Sequence, residues 1–273
     1  MAITTGDGYV ASSKQIITYT KTAATTTTAN SRSTIRGAAG NPGAATMAYT
    51  AFASNGQVPT DATSGMPVIN AFGGGATGYL TRVQWNNSVV GRVELWDVLW
   101  GGNIPTGAGG FGSLQTLNAT PASYLSRCPD GAGHGLRIFF EITTTMSATA
   151  TTLSVTYTNS DGTGSRSTGA SASLSGLIAN RWVEFPLQAG DRGVQKIDAV
   201  VIGGATNAAG VGNIIVARPL WTNGTRVANS GTSEGLDMTG MPIVYADSAL
   251  VVTTVADSTS SGIVDMNIEI ANG

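Results

Sequence analysis

From about residue 76 the chain breaks into short runs of Val, Ile, Thr and aromatic residues, separated by glycine-rich and polar stretches. The runs are YLTRVQW (79–85), VVGRVELWDVLW (89–100), GLRIFFEITTT (135–145), TTLSVTYT (151–158), RWVEFPLQ (181–188), GVQKIDAVVIG (193–203), NIIVARPLW (213–221), ALVVTTVAD (249–257) and IVDMNIEI (263–270). β-Branched and aromatic side chains suit a half-buried pleated surface, so each run is a predicted strand. The last alternates cleanly: Val264, Met266, Ile268 and Ile270 on one face, Asp265, Asn267 and Glu269 on the other. Asn159-Ser160-Asp161-Gly162 comes after TTLSVTYT and reads as a hairpin turn, with glycine supplying positive φ. GGNIPTGAGGFG (101–112) and CPDGAGHG (128–135) read as loops. No window of about 12 residues carries a capped helical period. Short strands without helices predict an all-β fold, a jelly-roll-like β-sandwich of two sheets about 10 Å apart. An up-and-down barrel is the second choice.

Residues 1–75 have another texture. They are sparse in large apolar side chains and include TKTAATTTTANSRS (20–33) and GAAGNPGAAT (37–46). Such stretches bury too little apolar surface to offset chain entropy. Only KQIITYTKT (14–22) alternates enough to be a strand. The expectation is an extended N-terminal arm and linker over 1–75 that orders on another surface, with the sandwich in 76–273; a disordered tail is the alternative. Such an arm would be removable, so deleting residues 1–36 would leave the sandwich folded.

Composition then narrows the chemistry. The 273 residues hold one histidine, His134, one cysteine, Cys128, and three lysines, and only 11% are charged. Acid–base catalysis and metal binding draw on His, Cys and paired carboxylates. A chain this poor in them reads as a building part rather than an enzyme, with no cofactor and no metal. One cysteine makes no intrachain disulfide framework. With a net charge of −2 and no Lys/Arg run, a nucleic-acid partner is not expected. No apolar stretch approaches the ~20 residues of a membrane helix.

The motif matches lack their structural context. Gly73-x-Gly75-x-x-Gly78 and Gly107-x-Gly109-x-x-Gly112 spell a dinucleotide fingerprint, but neither opens a predicted helix. Gly231-Thr232-Ser233-Glu234-Gly235 spells a nucleophile elbow, yet its histidine should come later in the chain and His134 comes earlier. His134 with Asp130 would place two triad members on one loop. A glycosidase needs two convergent carboxylates. Glu94 and Asp97, three apart on a strand, point to opposite faces, and Glu141 and Glu184 cannot be placed. Asn159–Asp161 and 257–261 are oxygen-rich but read as turns rather than calcium loops.

Trp96 and Trp100 share parity and hence one strand face. They read as sandwich core or, alternatively, as a subunit interface, where Trp and Arg are enriched. Eleven arginines against three lysines favour assembly. Arg32 and Arg36 in the arm, with Trp96 and Trp100, are the candidate residues for a subunit or capsid interface.

The succession GAAGNPGAAT (37–46), FGGGATGYLTRV (72–83), RVELWDVLW (92–100), VTYTNSDGTGSRST (155–168) and RWVEFPLQAGDRGVQKID (181–198) resembles tailed-bacteriophage virion structural proteins. The resemblance is one of texture and segment order over about 37–220. It implies a capsid decoration (cement) protein that binds the major capsid protein, self-associates as a homotrimer, and is made in the host cytoplasm for the virion surface. Another virion part (tail tube, collar or head-fibre base) and a carbohydrate-binding module are the alternatives. The chain shows no repeats, which counts against a fibre.

Overall fold

The computed structural model describes residues 3, 5–45, 49–105, 115–116, 122–171, 173–204 and 210–273. The second glycine fingerprint, Gly107-x-Gly109-x-x-Gly112, lies outside them. In chain order the strands are β1 (Ser13–Lys21), β2 (Arg32–Thr34), β3 (Gly40–Asn41), β4 (Gly78–Asn87), β5 (Gly91–Pro105), β6 (Gln115–Thr116), β7 (Arg137–Thr144) and β8 (Thr151–Asn159). They continue as β9 (Arg166–Ser167), β10 (Trp182–Phe185), β11 (Val194–Gly204), β12 (Val211–Thr225), β13 (Ser230–Glu234), β14 (Ile243–Val244), β15 (Leu250–Ala256) and β16 (Val264–Asn272). Every run with strand periodicity forms a strand. Two short helices, α1 (Gly6–Ala11) and α2 (Leu236–Thr239), and two 3-10 turns complete the described chain. The α1 turn starts where the Thr5 hydroxyl accepts the Gly8 N–H at 3.0 Å.

The strands form three antiparallel sheets rather than two. The central sheet runs β10-β7-β12-β5-β15-β2. A second runs β13-β4-β16-β1-β3, with β14 also on β4, and a third runs β6-β11-β8-β9. The 15-residue strands β5 and β12 form the spine of the central sheet. On β12, Ile214 and Val216 pack into a core shared with Leu153, Val155 and Val200 of the third sheet. Leu220, beyond them, joins a core with Leu80, Val83, Met266 and Ile268 of the second sheet. Ile215 and Ala217 point the other way, into a third cluster closed by Tyr49 and Met66 from the loops after β3. Two sheets therefore cover one face of the central sheet in tandem, and loops cover the other.

The arm expected over 1–75 is not what the structure shows. β1 lies inside a sheet, paired with β16 along Ser13–Thr20 and with β3 at Thr20 and Lys21. β2 pairs with β15. Strands from either side of residue 75 thus share sheets. The Thr/Ser-rich stretch goes inside because its hydroxyls find partners: Thr27 and Ser33 are buried and hydrogen-bonded to each other. Burying a hydroxyl costs little once it is paired.

Two finer sequence expectations divide. β16 holds Val264, Met266, Ile268 and Ile270 in one core, as its alternation requires. The shared face of Trp96 and Trp100 fails. Val216 pairs with Trp100 and Ala217 with Val98, so Leu99 is an extra residue in β5. That bulge reverses the parity of the residues beyond it. Trp96 enters the loop-covered cluster and Trp100 the core under the third sheet.

Candidate functional site

The four candidate interface residues are all committed to intrachain contacts. Trp100 is fully buried, packs edge-on against Phe52 at 5.8 Å, and donates Nε1–H to the Asn55 carbonyl at 3.0 Å. Trp96 is buried and donates to Thr253 Oγ1 at 3.0 Å. Arg36, also buried, donates to the Tyr49 hydroxyl at 2.6 Å and to Glu141 Oε2 at 3.1 Å. Glu141 further accepts from Trp182 at 3.1 Å and from Asn213 at 2.8 Å. In this fold Arg36, Trp96 and Trp100 are buried and already partnered within the chain. Arg32 is mostly buried but borders the surface.

Charge is spent inside this molecule. Eight of its 30 charged residues are buried: Lys21, Arg36, Arg127 and Arg218 against Glu94, Asp97, Glu141 and Glu269. Asp97 lies between the two cores that share a face of the central sheet. It accepts from Ser248 Oγ at 2.8 Å and the Ala249 N–H at 3.0 Å, and faces Arg218 at 3.3 Å and Arg127 at 3.5 Å. Glu94 points to the opposite face, as strand parity requires. A lone buried charge is costly, so each acid here has a cation or several donors beside it.

The groups suited to catalysis are tied off. Asp130 accepts from the Cys128 thiol at 3.0 Å and from His134 Nδ1, and its loop N–H groups at Ala132 and Gly133 also donate to it. Burial acts to raise the Asp130 pKa, but these hydrogen bonds outweigh it and hold the carboxyl well below the usual range. Burial, then the Asp130 hydrogen bond and charge, pushes the Cys128 thiol up to about 11. A thiol so placed is a poor nucleophile. Ser233 lies on β13 opposite Gln84, while His134 bridges to Gly193 beside β11, so the elbow reading has no base. Gly73-x-Gly75-x-x-Gly78 leads into β4 with no helix. Asn159 Oδ1 accepts the N–H groups of Asp161 and Thr163 at 3.1 and 2.8 Å, which makes that stretch a side-chain-closed turn. Among the described residues no group of three or more His, Cys, Asp or Glu side chains could hold a metal.

One surface feature gathers chemistry that local sequence did not signal. A groove on the loop-covered face of the central sheet has two adjacent lobes of about 360 and 280 Å3, with Arg32 and Arg92 in the walls of both. Arg32 donates Nε–H to Glu94 at 2.6 Å and Nη1–H to Glu184 at 2.9 Å. Its guanidinium lies 5.2 Å from the Trp96 ring centre and 5.1 Å from that of Phe139, a cation–π clamp. Arg92 pairs with Glu94 at 2.8 Å and Arg137 with Glu184 at 3.2 Å. Burial works to raise Glu94, but the hydrogen bond and charge of Arg32, with Thr253 and Arg92, bring its pKa below the ordinary value. Glu94 and Glu184 are thus two carboxylates bridged by one arginine, and Glu94 lacks the raised pKa of a glycosidase acid. Arg181 lines the second lobe with no hydrogen bond or ion pair for its guanidinium among the described residues. Sequence reasoning found Arg32 and Trp96 but not the groove, whose arginines come from four separate strands or loops.

No protein-family model matches the chain, and no curated protein sequence does. Among solved structures it has a likeness to the infectious bursal disease virus VP2 subviral particle, at 12% identity and a TM-score of 0.21, covering 96% of this chain and 80% of that one. A likeness at that level carries no argument about fold or role.

Proposed function

We propose that this chain is a virion structural protein of the tailed-phage kind, a capsid decoration protein that binds the major capsid protein in the assembled shell and stabilises it. The observation that carries the reading is the use of its scarce charge. Acids and arginines are paired inside the fold, and the sole histidine and thiol converge on one carboxylate that holds both. That disposition suits a part selected for a rigid body over one selected for turnover. The resemblance of its segments to phage virion proteins supplies the context. Binding only the assembled state stabilises a shell by mass action. Self-association, as a trimer, would multiply weak contacts into avidity. Because β1 and β2 belong to the body, contact with the shell runs through the folded surface and not through an arm.

The test is co-sedimentation of the purified protein with assembled shells and, separately, with unassembled capsid subunits. Saturable binding to shells alone, with a rise in shell dissociation temperature, supports the reading. Equal binding to free subunits, or none to either, overturns it.

A further inference from the structure

We propose that the arginine groove on the loop-covered face of the central sheet is a binding site for a carboxylate-bearing saccharide. Its first qualification is a set of unspent donors. Arg92 uses Nε on Glu94 and Arg137 uses one Nη on Glu184, and among the described residues the other N–H donors of both guanidinium groups are unengaged. Arg181, in the same groove, engages no acid among the described residues. With Arg32 and two glutamates the groove carries an excess of two positive charges on a protein of net charge −2. Free guanidinium forks match a planar carboxylate bidentately.

The site is also preorganised. Arg32 is fixed by two glutamates and two aromatic rings, so the charges around it have a rigid centre. Rigid donors lose less entropy on binding. The two glutamates set the ligand's charge. They cancel two of the four arginine charges, and the positive charge that remains favours an anion whose planar carboxylate an unspent guanidinium fork can take. Pro219 is exposed at the wall of the larger lobe and offers an apolar surface for the less polar face of a sugar ring, while Leu220 and Trp221 beside it are buried in the core. Each lobe is near or within the ~300–1,000 Å3 of small-ligand sites. Such a ligand site stands whether or not the chain coats a capsid.

Calorimetric titration of the full chain with a glucuronate-containing tetrasaccharide tests it, with neutral cellotetraose and a tetraglutamate peptide as comparisons. The acidic saccharide is expected to bind, more weakly as salt rises. Arg181→Gln and Arg92→Gln should each weaken it roughly tenfold while the melting temperature stays unchanged. Arg181 has no intrachain partner for its guanidinium among the described residues and Arg92 is half-exposed, so neither change threatens the fold. No heat at about 10 mM ligand, equal binding of cellotetraose, undiminished binding by both variants, or binding of tetraglutamate instead would each overturn the proposal.

Discussion

Replacing Asp97 by alanine should be among the most damaging single changes in this protein. Its carboxylate is completely buried between two cores, with Arg127 and Arg218 beside it and Ser248 and Ala249 donating to it. Alanine would leave two buried guanidinium groups facing each other without an anion. Breaking a buried pair in this way costs about 3–5 kcal/mol. For a chain of 273 residues, an unfolding entropy of about 2.1 cal/mol/K per residue converts that to a fall of roughly 5–9 °C in melting midpoint. Calorimetry or circular dichroism at neutral pH measures it. Asp97→Asn keeps acceptors for Ser248 and Ala249 but loses the charge, so it should fall between wild type and alanine. Adding Arg218→Met to Asp97→Ala should recover part of the loss, since one uncompensated charge is removed. A midpoint for Asp97→Ala within about 1 °C of wild type would refute the view that this carboxylate neutralises the seam.

Lys21 is buried, and its ammonium donates to the carbonyls of Ala38 and Pro42, at 3.1 and 2.7 Å, and lies 4.9 Å from the Tyr19 ring centre, with no carboxylate paired to it among the described residues. Burial pushes its pKa from 10.5 down to about 8. Between those values the unfolded chain binds the proton more tightly, so this residue's contribution to stability rises with pH, by roughly 3 kcal/mol over the interval. Denaturant melts of wild type and Lys21→Met from pH 7.5 to 10 should show the difference moving in favour of wild type; a pH-independent difference would contradict it. Removing residues 1–36 deletes β1 and β2 and should abolish cooperative unfolding, read by calorimetry; a folded truncate would restore the arm. The Cys128 thiol should resist alkylation at pH 8 until the chain is unfolded, as followed by mass spectrometry, and rapid native labelling would contradict its burial and raised pKa.

The strands were legible because long runs of Val, Ile and Thr carry a two-residue period that any buried sheet face demands. β16 is the clearest case, with four alternate apolar residues in one core. The features that escaped did so for physical reasons. Strands of two or three residues, such as β3 and β9, are too short to show a period. The Leu99 bulge leaves no local mark, yet it sends Trp96 and Trp100 to opposite faces. The N-terminal stretch is poor in apolar side chains, and apolar content alone argues against burial. Thr27, Ser33 and Thr34 nonetheless go inside through hydroxyl and backbone hydrogen bonds. Arg36 and Glu141 pair across 105 residues, and Arg32 reaches Glu184 across 152, distances at which sequence pattern says nothing about partners. The opposite orientations of Glu94 and Asp97 needed only strand parity, and the fold agrees with it.

A shell-binding virion part is tested most directly by counting. Quantitative mass spectrometry of purified particles would give the copies of this chain per copy of the major capsid protein. A protein that covers the shell should give a ratio of one or a simple fraction of it. A dozen copies or fewer would place it at a neck, collar or fibre base, and its absence from the particles would contradict the virion role outright.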